Sequence, residues 1–83
     1  MRLTELPKGA PAIVSYVDDA SEGDMVAARL RDLGFVSGEP VRVLQFGPIG
    51  ADPIVVQIGF TRFALRRSEA SRVRVQRERA SAA

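Results

Sequence analysis

The apolar positions of this chain change period three times, and each change predicts a boundary. Pro11 to Val17 reads PAIVSYV, rich in β-branched residues and introduced by the Gly9-Ala10-Pro11 turn signal, and predicts a first strand. Val26, Leu30 and Leu33 then fall at i, i+4 and i+7, one face of a short helix, with Arg29, Arg31 and Asp32 mostly off that face. Ser21-Glu22-Gly23-Asp24 fits a capping box, so the helix is expected to begin with Ser21 as its cap. Gly34 supplies the left-handed residue that ends helices, with Phe35 placed to fold back on the last turn.

Alternation resumes in VRVLQF, Val41 to Phe46, which predicts a second strand. The segment GPIGADP, Gly47 to Pro53, reads as a long loop leading to a third strand, Ile54 to Ile58. Gly59-Phe60 suits a type II′ hairpin turn that pairs Ile58 with Thr61 and puts Ile54, Val56 and Ile58 on one face with Phe63 and Leu65. After a turn through Glu69-Ala70, RVRVQ points Val73 and Val75 one way and Arg72 and Arg74 the other.

Five short strands and one inserted helix define a mainly β fold: a small, closed or nearly closed SH3-like antiparallel barrel, which disposes of exposed sheet edges. The helix is expected to plug an open end. Ile13 or Val14, Val43, Val56, Phe63, Leu65 and Val73 would then share one core with Leu30 and Leu33. Residues 1–76 are expected to form this barrel and residues 77–83 a flexible basic C-terminal tail.

Composition narrows the function classes. The 83 residues suffice for one domain only. With neither cysteine nor histidine, the chain lacks disulfides, thiol chemistry, the usual general base and the commonest transition-metal ligands. No apolar run approaches the roughly 20 residues of a membrane span, and the start lacks the core of a signal peptide, so a cytoplasmic location without direct membrane insertion is expected. Residues 1–59 hold 5 basic and 8 acidic groups and residues 60–83 hold 7 and 2, so the two parts stand at −3 and +5. Such asymmetry can steer an anionic partner.

The ordered set formed by a strand after a Gly turn, RLRDLGFVSGEPVRVL, a Pro-Gly loop running into DPIVVQIG, and the closing FALRRSEASRVRV resembles the FeoA family over Leu3 to Val75. Similar proteins commonly run Gly-Asp-Pro before the third strand, where this chain reads Gly50-Ala51-Asp52-Pro53. The resemblance implies an SH3-like barrel serving bacterial ferrous iron uptake and iron homeostasis. It implies action by contact with FeoB, the membrane transporter with a cytosolic G-protein domain, rather than catalysis. The same domain type forms the C-terminal module of iron-dependent repressors, so a regulatory module, a general adaptor or a nucleic-acid-binding barrel is the alternative.

No catalytic constellation is present, and no cofactor is expected. Asp18, Asp19, Glu22 and Asp24 form an acidic run, but their spacing is not that of a calcium loop, and capping accounts for Asp24 and Glu22, so no metal site is assigned. A bare carboxylate set would hold ferrous iron only weakly. Strand alternation places Arg62, Arg66, Arg72 and Arg74 outward as a basic stripe, with Arg29 as its extension on the helix. These five are the candidate partner-binding residues. Nucleic acid is not the expected partner, because no exposed aromatics interleave with the arginines.

Overall fold

The computed structural model describes residues 1–78. A short 3-10 helix, Leu3–Glu5, leads into β1 (Ala12–Val17), α1 (Met25–Asp32), β2 (Pro40–Ile49), β3 (Asp52–Ile58), β4 (Thr61–Leu65), α2 (Arg67–Ala70) and β5 (Val73–Arg77). The five strands form one antiparallel sheet in the order β4-β3-β2-β1-β5. Pairing between β1 and β2 spans only Ala12↔Val41 and Ile13↔Pro40, whereas β2-β3 and β3-β4 pair along most of their length. The sheet therefore folds over at the β1-β2 junction, and its edge strands are β4 and β5.

α1 lies at the seam that those edges leave. Its cap residue Asp24 bonds to Arg72, next to β5, at 2.8 Å, while Val26, Leu30 and Leu33 line a groove with Phe63 and Leu65 of β4. The helix starts three residues later than the capping box predicts. Gly23 at φ +71° turns the chain out of helical conformation, and the Asp24 carboxylate, not Ser21, accepts the Val26 and Ala27 N–H groups at 3.0 and 3.3 Å. The expected end is observed: with Gly34 at φ +114°, its N–H donates to Arg31 O and that of Phe35 to Leu30 O, the paired bonds of a Schellman motif.

Two further predictions are corrected. GPIGADP is not a loop but the tip of the β2-β3 hairpin: Ile49 pairs with Asp52, and Gly50 and Ala51 turn the chain at φ +63° and +58°. Prolines are tolerated because Pro48 falls in a bulge between Phe46 and Ile49 and Pro53 lies near the strand start. The turn before β5 is a short helix, α2, so the described residues form two α-helices rather than one. The β3-β4 hairpin has the expected register, Ile58↔Thr61 around Gly59 at φ +57°.

The core joins Val14, Val43, Ile54, Val56, Leu65 and Val73 from the strands with Ala27 and Leu30 from α1 and Phe35 just beyond it. Leu33 and Phe63, expected to share the core, pack against it half-buried at its margin. α1 is rolled so that the small Ala27 meets the core, which moves Leu33 toward the groove. The N-terminal segment is also built in. Leu3 and Leu6 are buried, and the Val75 N–H donates to Met1 O at 2.8 Å. β5 includes Arg77; of the expected 77–83 tail, residues 79–83 lie outside the described residues.

Candidate partner-binding surface

The basic residues divide into two sets that the strand pattern cannot separate. β1 and β5 pair through Val17↔Val73 and Tyr16↔Arg74, which brings the end of β1 and its acidic continuation beside the arginines flanking Val73. Arg74 then bonds to Asp18 at 2.7 Å, and Arg72 to Asp24 at 2.8 Å. Arg31 of α1 bonds to Asp19 at 2.9 Å and donates to Val17 O at 2.8 Å. Arg72 also donates to Ser68 O at 2.9 Å, so one guanidinium joins the α1 cap to α2.

The Asp24 carboxylate is the centre of this arrangement. Its side chain is only 6% exposed. Its titration is pushed well below the ordinary carboxylate range, first by the Ala20 N–H and then by Arg72 and the Ala27 N–H, against the opposing effect of burial. The Arg31 and Arg74 guanidiniums are held protonated still more firmly, chiefly by Asp19 and Asp18 respectively. The acidic run is thus spent on internal pairing, with three of its four carboxylates bonded to arginines.

The second set stands free. Among the described residues, Arg29, Arg62, Arg66 and Arg67 make no salt bridge, and all four are exposed. Arg29 lines the groove between α1 and β4, which encloses about 100 Å³, while Arg62 lies in β4 on the face opposite Phe63 and Leu65, and Arg66 and Arg67 follow directly after that strand. Val26, Leu30 and Leu33 form the groove's helical wall and Phe63 and Leu65 its strand wall, with Arg29 and Glu69 on the rim. Phe63 is seated from below by Phe35, ring centroids 6.1 Å apart. Glu69 is partly committed, accepting the Arg66 N–H at 2.9 Å.

Of the five predicted residues, then, Arg29 lines the groove, Arg62 lies in the strand that walls it and Arg66 just after that strand, while Arg72 and Arg74 lie by the opposite sheet edge in ion pairs. The single stripe does not form, because β4 and β5 are the two ends of the sheet order rather than neighbours. Two arginines were missed. Arg67 opens α2 directly after Arg66, and Arg42 shares a row with Arg62, since both pair with Gln57 of β3. The second was latent in the alternation of VRVLQF but required the β2-β3 register.

A small SH3-like barrel with an apolar groove rimmed by Arg29 and Glu69, and no cluster of three or more metal-ligating side chains among the described residues, has the features of a binding module. The FeoA domain model matches residues 1–77, and the chain belongs to the FeoA family.

Three solved structures place it more closely. FeoA of Stenotrophomonas maltophilia, a zinc-complexed SH3 domain protein described in connection with activating bacterial ferrous iron transport, is 55% identical, with 92% of this chain and 89% of that one covered and a TM-score of 0.84. FeoA from Chlorobium tepidum is 40% identical over 93% of this chain and 70% of that one, TM-score 0.78. Iron(II) transport protein A from Clostridium thermocellum is 35% identical over 93% of this chain and 45% of that one, TM-score 0.79. A search of curated proteins returned no match. The donor set here does not suit a zinc site like those built on imidazole or thiolate, since the chain has no histidine or cysteine and Asp18, Asp19 and Asp24 are engaged by arginines.

Proposed function

We propose that this protein is a cytoplasmic accessory protein of bacterial ferrous iron uptake. It acts without catalysis, by docking on the cytosolic G-protein region of a FeoB-type transporter through the groove between α1 and β4. Membership of the FeoA family carries the reading. The groove supports its location: Arg29 lines it, Arg62 and Arg66 lie on and just after its strand wall without a salt bridge among the described residues, and the other two candidates, Arg72 and Arg74, are already paired. Unpaired cations around an apolar cleft suit an acidic protein surface, because charge draws the partner in and apolar contact then holds it.

The test is association of the full chain with the transporter's soluble cytosolic domain, followed by stopped flow across a salt series. Arg62→Glu with Arg66→Glu should slow association about tenfold at low salt and flatten its salt dependence, with thermal stability nearly unchanged. Wild-type rates at every salt concentration would refute this docking surface.

A further inference from the structure

β4 is an edge strand, and among the described residues no strand pairs with its outer edge. The β3-β4 hairpin closes on Ile58↔Thr61 around a two-residue turn, so the pairs that exchange both backbone bonds are those of Thr61, Phe63 and Leu65. The N–H and C=O of Arg62 and Ala64 therefore point away from β3. No other backbone bond engages them among the described residues, and both residues are exposed. Natural sheets usually cover or blunt such an edge. Here it borders the groove under α1, so Phe63 and Leu65 present apolar surface on the strand's inner side while Arg62, Ala64 and Arg66 lie on its outer side.

We propose that β4 receives an extended segment of the partner by strand addition, and that this segment alternates aliphatic residues facing the groove with acidic residues facing the arginines. The proposal rests on the docking reading above and adds its mode. A strand laid about 4.8 Å from β4 would take backbone bonds from Arg62 and Ala64. Its inner side chains would meet Leu30, Leu33 and Phe63, and the enclosed volume of about 100 Å³ gives room for roughly one aliphatic side chain. Its outer side chains would stand opposite Arg62 and Arg66, where carboxylates form favourable cross-strand pairs. Glu69 and Asp32 are the acidic groups nearest the groove on α2 and α1, against four free arginines, so the balance still favours an anionic segment. The same arginines disfavour a second copy of this chain, because antiparallel pairing of two β4 edges about Ala64 would set Arg62 of each copy opposite Arg66 of the other.

Amide hydrogen exchange of the full chain decides the matter, alone and with two probes: the transporter's soluble cytosolic domain, and a seven-residue peptide alternating valine and glutamate. Strand addition predicts that the Arg62 and Ala64 amides slow by about tenfold or more with either probe, while those of Phe63 and Leu65, already bonded to β3, change little. A lysine-for-glutamate peptide should give no protection. Ala64→Pro removes one outward N–H at a position where an edge strand tolerates proline, and should weaken binding about tenfold. Should that variant fail to fold, exchange in the wild-type chain still decides. If the transporter domain binds while Arg62 and Ala64 stay unprotected, strand addition is wrong and the docking reading stands. Protection by the peptide without any binding of the transporter domain supports the strand site and removes the docking reading. Protection in the chain alone, accompanied by a dimer in sedimentation, overturns the proposal in favour of self-pairing.

Discussion

Gly47 illustrates how much of this fold is set by a single missing side chain. It lies in β2 where the bulge brings the backbone of β3 close. A Cβ there would overlap the Asp52 carbonyl and stand 2.7 Å from Pro53 O. Neither contact is with a flexible side chain that could move aside. Gly47→Ala should therefore cost about 1–3 kcal/mol, the usual range for overpacking, measured from the urea midpoint. A neutral result would mean that the hairpin can spread at its tip. The glycine is conspicuous in the sequence, but the surrounding Gly and Pro residues read as a loop, and close approach of two backbones is a property of the pairing, invisible until the register is known.

At the scale of elements, local chemistry was largely legible and orientation was not. Turn residues announced the β3-β4 hairpin, and Gly34-Phe35 announced the helix end, because each needs only neighbours in sequence. The roll of α1 depends on what lies beneath it. Period alone makes Val26, Leu30 and Leu33 equivalent, yet Leu30 is 2% exposed while Val26 and Leu33 are half-buried, and Ala27 takes the place against the core. The contribution of Leu3 and Leu6 to the core was also missed, since so short a segment carries no periodic signal. Truncation should separate the two leucines: Leu30→Ala should cost about 2–5 kcal/mol, and Leu33→Ala only about 1 kcal/mol, because solvent can fill part of the space it vacates. Equal losses in chemical denaturation would mean that the helix is seated with the Val26-Leu33 face inward.

Across the whole molecule, Arg31, Arg72 and Arg74 are held in ion pairs with Asp19, Asp24 and Asp18, and the arginines on and beside β4 make no salt bridge among the described residues. This division could not be read from the chain, because an ion pair between Asp18 and Arg74 joins residues 56 positions apart and depends on the β1-β5 pairing. Its consequence is a dependence on acid. Asp24 receives the Ala20, Val26 and Ala27 N–H groups and the Arg72 guanidinium, so its carboxylate form is favoured by folding. Because its folded-state titration lies below the ordinary value of 3.8, the stabilisation is fully present above that pH and is lost as pH falls below it. The urea midpoint should thus be steady from about pH 7 to 5 as far as this group is concerned and decline below about pH 4. Asp24→Asn should start from a lower midpoint at neutral pH, having lost its charged partner for Arg72, and should show a shallower acid decline. Arg72→Met should lower the neutral midpoint too, and the double variant should lose less than the two single effects combined, since both act on one contact. Parallel acid limbs for the wild type and Asp24→Asn would mean that other carboxylates govern acid unfolding and that the closure over β5 is carried by packing alone.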